Sequence, residues 1–423
     1  MKIAVFTNTY LPHVGGVANS VSSLVAGMRA RGHRCLVVAP EFPGQPEREE
    51  DVLRIPSITN FNGTDFSFRL PSGTLIGDSI KAFQPDLIHS HHPFLLGDAA
   101  LRMAHQWQVP LVFTHHTRYE KYVHYVLEDA DWLKRLAIEL ATEYANLCDR
   151  VVAPSRSIAD LIRHRGVDAP VSVIPTGIDY ERFRKGDRAT ARKNLGISPD
   201  AFVIGHVGRL APEKNLPFLF KAVTLYLREH PDSRFLVLGK GDSLPELKRI
   251  LREAAVEDRV HLAGKLTGRE LVDFYHAMDL FAFASKSETQ GMVLAEAMAA
   301  GVPVLALEAS GASDIVNHGE NGLLLPANCS REEFARAIGA LRQLSRDKRD
   351  TISARMEETA KGYSSEVSLD RIEVAYKDLI RKERGERDLP GWTRFMNRLE
   401  AEWDLGIGRA RALGAAFQKP EPE

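Results

Sequence analysis

Short apolar runs alternate along the chain with longer stretches in which apolar residues recur every three or four positions. Residues 3–6, 34–39, 52–55, 86–89, 109–114, 150–153 and 171–174 form a first series of near-continuous apolar runs. A second series begins at 202–207 and continues through 234–238, 260–263, 280–284, 302–306 and 322–325. Strands that are apolar without alternation are buried on both faces, and helical spacers bring each new strand in parallel to the last. The pattern predicts an α/β chain of two doubly wound, Rossmann-like domains joined near residues 176–187. Boundaries follow at 1–183 and 184–363, with helical periodicity over 331–344 and 365–386. The segment Pro175-Thr176-Gly177-Ile178-Asp179 reads equally as a hinge, with Gly177 at positive φ, or as a turn that ends a strand.

The tail, 387–423, interleaves Trp392, Phe395, Leu399 and Trp403 with Arg394, Arg398, Arg409 and Arg411. Such spacing suits a helix lying on a membrane surface or one packed on the protein itself. Glu400, Glu402 and Asp404 count against anionic lipid. No run is long and apolar enough to span a bilayer, so any membrane contact is expected to be peripheral. The first ten residues read as a buried strand rather than a signal peptide.

Composition narrows the class without deciding it. A length of 423 residues exceeds what one core organises, and 44% hydrophobic with 26% charged residues is ordinary for a globular protein. A formal charge of −1 argues against a nucleic-acid partner. Cys35, Cys148 and Cys329 have no CxxC spacing and cannot all pair, which fits a reducing, cytoplasmic setting.

The chemistry concentrates in the second series. From Ser287 to Gly301, Glu288 precedes a glycine turn and Glu296 sits on the apolar helix that follows. The N–H groups near Gly291, Met292 and Val293 have no intrahelical acceptor, so the helix start suits a phosphate. Upstream, the turn Gly208-Arg209-Leu210-Ala211-Pro212-Glu213-Lys214-Asn215 follows a strand and carries two cations of the kind a departing diphosphate requires.

In the first series, Gly15-Gly16 follows the first strand. It suits close approach of a ligand at Gly16 or simply a turn, and it is not the GxGxxG fingerprint of a dinucleotide enzyme. His89-Ser90-His91-His92 and Thr114-His115-His116-Thr117 fall at strand ends, where open α/β sheets bind ligands. No cysteine or acid stands nearby at metal spacing, so these histidines read as hydrogen bonders before zinc ligands. Asp129-Ala130-Asp131 follows Glu128 at a helix start and reads as capping rather than as a metal-binding triplet.

The Arg209 to Lys214 turn and the Glu288-x7-Glu296 pair together resemble the signature of retaining family 4 glycosyltransferases of the GT-B fold. The resemblance covers nearly the whole chain, since Gly15-Gly16, the Pro175 to Asp179 segment and Leu238-Gly239-Lys240-Gly241 match in order. It implies two domains facing a cleft, with the 364–386 helix returning to the first domain. Arg209 and Lys214 are implied to bind the donor's diphosphate, Glu288 the donor sugar's hydroxyls, Glu296 the ribose and His116 the donor sugar near the reacting centre. Gly16, Gly239, Leu266, Gly291, Met292 and Val293 complete the implied donor site, with base selection by backbone groups around Lys265-Leu266.

Arg118 to Tyr125, with Tyr119 and Tyr122, is similar to the acceptor run of bacterial diacylglycerol glucosyltransferases. Lys134, Arg135, Arg156, Arg163 and Arg165 are cations available to anionic headgroups. The expectation is a retaining transferase, free of metal or other cofactor, that moves a hexose from UDP-glucose to a diacylglycerol-type lipid. It would be cytoplasmic and peripheral on the inner face of the cell membrane. Two other readings stand beside it: a transferase acting on a soluble sugar or polysaccharide precursor, and a sugar-nucleotide-binding regulatory protein without turnover.

Overall fold

A computed structural model describes residues 1–13, 15–58, 68–69, 73–121, 131–286 and 288–382. The chain divides into two units: Met1–Pro175 with the segment from Ser368 onward, and Thr176–Val367. The sequence reading sets the boundary at 183/184, and this division falls at Pro175/Thr176. The reason is that Ile178, Tyr180 and Phe183 are buried in the second unit's core. Gly177 does not take positive φ. Glycine is needed there because a Cβ would come within 2.3 Å of Ser365 Cα, where Ile178 bridges to Ser364.

In the first unit, strands β1 (Lys2–Phe6), β2 (Arg34–Pro40) and β3 (Val52–Ile55) are followed by a short antiparallel pair, β4 (Ser57–Ile58) and β5 (Phe68–Arg69). The sequence pattern did not reveal that pair, whose two-residue strands are too short to carry a period. Strands β6 (Leu87–Ser90), β7 (Leu111–Thr114), β8 (Arg150–Ala153) and β9 (Val171–Val173) complete a parallel sheet in the order β3-β2-β1-β6-β7-β8-β9. Successive side chains point to opposite faces, and the cores obey this. Ala4, Phe6, Leu36 and Val38 join one, while Ile3, Val5, Cys35 and Val37 join the other.

The second of these cores is closed by Val21, Val25 and Met28 of the Gly16–Ala30 helix and by Ile372, Tyr376 and Leu379 of the Ser365–Lys382 helix. The Ser365–Lys382 helix thus supplies part of the first unit's core. Arg31 on the neighbouring helix pairs with Asp370 at 2.8 Å and Glu373 at 3.0 Å.

The second unit repeats the plan. Strands β10 (Phe202–Val207), β11 (Ser233–Leu238), β12 (Val260–Gly264), β13 (Leu280–Phe283), β14 (Val304–Leu307) and β15 (Leu323–Leu325) run parallel in the order β12-β11-β10-β13-β14-β15. Val203, Leu236, Phe281 and Val304 face one core; Ile204, Phe235, Leu280 and Leu305 face the other. An Arg346–Gly362 helix escaped the sequence reading because its apolar stripe is thin, with only Ile352, Met356 and Ala360 buried. In each sheet the strand order reverses beside its first strand, between β1 and β6 and between β10 and β13. Open α/β sheets bind ligands at the carboxyl ends of strands at such points.

Candidate active site

At the reversal point of the second sheet, the loop after β10 is held by its backbone. Gly208 N–H donates to Leu238 O at 2.9 Å and Leu210 N–H to Lys240 O at 2.9 Å. A side chain at Gly239 would strike Gly208 O at 1.9 Å, and one at Gly241 would strike Leu210 O at 2.2 Å, so the β11 turn must be glycine for the loops to lie together. The loop ends in a short turn, Pro212–Lys214, after which Asn215 adopts a left-handed conformation and its Nδ2 donates to Ala284 O at 3.1 Å beyond β13. Lys214 is thereby placed at the end of β13, and its Nζ meets Glu288 Oε1 at 2.6 Å, with 17% and 15% of the two side chains exposed. Arg209, on the same loop, is half-exposed and pairs with Glu213.

Glu288 is positioned by its own loop. Gly311, at φ 80°, lies so close that a Cβ would come within 2.8 Å of Glu288 Cβ, and Ser310 Oγ donates to Glu288 O at 3.1 Å. Gln290 is 4% exposed, and its amide accepts from Thr176 N–H and donates to Thr176 O, both at 2.7 Å. Gly291, at φ 76°, then opens the Met292–Ala299 helix without a side-chain cap or a carboxylate in the first turn. The amides of such a start favour an anion. Leu266, Met292 and Val293 pack partly against the core.

One turn further along that helix, Glu296 accepts from Tyr275 OH at 2.7 Å. Burial pushes the Glu296 carboxyl up, and the Tyr275 hydrogen bond with the Arg182 charge acts against that rise. Tyr275, Gln290, Asn215 and Gly311 were not identified from the sequence. Their signal is spatial: each acts on a residue distant in the chain.

At the reversal point of the first sheet, imidazoles take the place of charges. His89 bonds Tyr376 OH at 2.6 Å and Thr114 Oγ1 at 2.7 Å. His91 Nδ1 lies 2.8 Å from His116 Nε2. Asn8 N–H donates to His92 Nδ1 at 3.1 Å. Burial pushes His89 down to about 3 and His92 and His115 down to about 4, so all three are neutral near pH 7. Among the described residues, no group of His, Cys, Asp or Glu is arranged to hold a metal ion. Gly16 opens the Gly16–Ala30 helix, and a Cβ there would meet nothing within 4 Å.

Tyr119, to which the resemblance gives an acceptor role, packs on its own unit. Its ring packs edge-on to Phe94 and His115 at 5.3 and 5.5 Å, and its hydroxyl is buried with no partner among the described residues. A cavity of about 10 Å³, room for one water, lies beside it. Arg165, expected among the headgroup cations, is 13% exposed and binds Glu120 at 2.8 Å, in an ion cluster that includes Arg118. Lys134 and Arg163 pair with Asp131 at 2.7 Å and Asp160 at 3.2 Å. Tyr122 and the 387–423 tail lie outside the described residues.

Comparison with known proteins decides the family. Glycosyltransferase Family 4 matches residues 14–182 and Glycosyl transferases group 1 matches 187–361. The alpha-monoglucosyldiacylglycerol synthase of Acholeplasma laidlawii is 30% identical over 90% of this chain and 98% of its own length. The chain belongs to glycosyltransferase family 4. A GDP-mannose-dependent alpha-mannosyltransferase of Corynebacterium glutamicum is 31% identical over 77% of this chain and 76% of its own.

The fold of this glycosyltransferase is GT-B. Anabaena Alr3699/HepE, solved with UDP and glucose, aligns with a TM-score of 0.71 at 23% identity over 90% of this chain and 100% of that one. No helix among the described residues of the transferase is long and apolar enough to cross a membrane.

Proposed function

We propose that the transferase moves glucose, with retention of configuration, from UDP-glucose to the hydroxyl of a diacylglycerol-type membrane lipid. The observation that carries the reading is the Lys214–Glu288 pair at 2.6 Å, set at a strand-order reversal beside an uncapped helix start. The choice of glucose and lipid is supported by the similarity to the Acholeplasma laidlawii synthase.

In this scheme Arg209, Lys214 and the amides after Gly291 receive the diphosphate. Each cation already carries a carboxylate, so the pyrophosphate shares or replaces Glu213 and Glu288 as partner. Glu288 then turns to the sugar hydroxyls, and Glu296, steadied by Tyr275, holds the ribose. The anomeric C–O bond to the phosphate breaks with oxocarbenium character. Negative charge grows on the phosphate oxygens, and fixed cations stabilise that charge more in the transition state than before it. The acceptor oxygen forms its bond on the same face, and its proton passes to the departing phosphate. Two cations and a helix start neutralise the leaving group, so the scheme needs no divalent metal. Trapping a glycosyl adduct on Glu288 contradicts this route.

The family resemblance gives His116 a contact with the donor sugar, and this reading adopts that role. The enzyme works in the cytoplasm, peripherally on the inner face of the membrane. The test is turnover of labelled UDP-glucose with diacylglycerol in anionic vesicles: a lipid product with the α linkage is expected. Turnover with GDP-mannose and none with UDP-glucose favours mannosyl transfer instead, a second reading supported by the similarity to the Corynebacterium glutamicum enzyme.

A further inference from the structure

His116 is one half of a pair. Its Nε2 lies 2.8 Å from His91 Nδ1, with the ring planes 21° apart. His91 is 1% exposed, its backbone N–H donates to Phe6 O at 2.9 Å, and its Nε2 is buried with no partner among the described residues. Burial and neighbouring histidines push both rings well below the ordinary histidine value, so each is neutral.

Two neutral imidazoles joined by one hydrogen bond have two arrangements. If His116 donates from Nε2, His91 must carry its own proton on Nε2, which leaves a buried N–H without an acceptor. If His91 donates from Nδ1, its Nε2 is a bare lone pair. Buried N–H groups left without an acceptor are rare in proteins, so the second arrangement, which leaves none on His91, is favoured. Neighbouring histidines do not compete for the shared proton. His89 is bonded through both ring nitrogens, and His92 Nδ1 accepts from Asn8, which fixes the His92 proton on Nε2.

We infer that His91 is a positioning residue that donates from Nδ1 to His116 and so fixes His116 as an Nδ1–H donor. His116 can then bind a hydroxyl oxygen of the donor sugar through Nδ1 and cannot serve as a base at that atom. This rests on the reading of His116 as a donor-sugar contact.

The test is a nitrogen-15 correlation spectrum of the imidazoles of the whole protein, recorded with turnover of UDP-glucose. His91→Asn keeps a donor where Nδ1 stood, His91→Asp keeps only an acceptor, and His91→Leu keeps neither. The wild type and His91→Asn should show the His116 proton on Nδ1. His91→Asp should move that proton to Nε2. Turnover number should fall about tenfold in His91→Asp and His91→Leu, with KM for UDP-glucose within about threefold, and His91→Asn should restore it.

A wild-type spectrum with the His116 proton on Nε2 overturns the inference, as does wild-type turnover and tautomer in His91→Leu. If the Asp variant does not fold, the wild-type spectrum and the Leu and Asn variants decide. Unchanged turnover in His116→Ala removes the donor-sugar role of His116 while leaving the tautomer result standing, so the two failures are told apart.

Discussion

Where strand order reverses in the N-terminal sheet, the chain places buried neutral imidazoles; at the same point of the C-terminal sheet, it places the Lys214–Glu288 ion pair and an uncapped helix start. One topology, used twice, presents neutral groups at one strand end and fixed charges at the other. A diphosphate needs fixed positive charge, which the second unit supplies. A sugar hydroxyl needs a hydrogen-bonding partner, and on the proposed tautomer the first unit's imidazoles offer one without a competing charge. The contrast separates the doubly wound frame, which sets where the strand ends lie, from the strand-end side chains, which set their electrostatics.

Acid should break the contrast most severely. The buried histidines of the first unit include His89, lowered to about 3, and His92 and His115, lowered to about 4; the second unit has His206, lowered to about 4. The unfolded chain takes up these protons near pH 6.5 while the folded chain does not. Stability from these groups is therefore full above pH 6.5 and is lost as pH falls toward 4. Each histidine costs roughly 1.4 kcal/mol per pH unit across that window. Calorimetry of the whole chain between pH 7 and 5, with hydrogen exchange to locate the transition, should show the first unit unfolding earlier. Equal loss in both units contradicts the contrast.

Lys214→Ala should cost the chemical step about 3 kcal/mol, a turnover loss on the order of a hundredfold, since it removes a donor to the growing phosphate charge. Steady-state turnover with UDP-glucose checks this, and an unchanged rate removes Lys214 from the diphosphate site. Gln290→Ala should have a smaller effect. It deprives the Thr176 peptide of a buried acceptor and a buried donor, each at 2.7 Å, and should lower stability by about 1–2 kcal/mol with KM for the donor raised. Denaturant unfolding and KM are the measurements.

Much of this frame was legible in sequence because period and punctuation are local. The runs at 3–6 and 202–207 declared buried parallel strands, and Gly291 before an apolar helix declared a glycine-opened helix start. Lys214 and Glu288 were each read as site residues, and the structure brings them into contact across 74 positions. The supports were not legible. Gln290 gives no sign in its own segment that it clamps the Thr176 peptide, and Tyr275 looks like any helical core aromatic until its hydroxyl is seen on Glu296. The surroundings of Tyr119 were equally hidden: aromatic and cationic residues in one run suit a ligand surface and a packed cluster alike, and the edge-on contacts with Phe94 and His115 are visible only in the structure.

The division of labour between the two strand ends is tested most directly by calorimetric titration of UDP, without sugar, into the wild type, Glu296→Ala and His116→Ala. Glu296→Ala should weaken UDP by about tenfold or more, the worth of a hydrogen bond to a charged group. His116→Ala should leave the dissociation constant within about twofold while turnover of UDP-glucose falls. Equal weakening in both variants, or none in Glu296→Ala, would contradict a nucleotide held by the second unit alone.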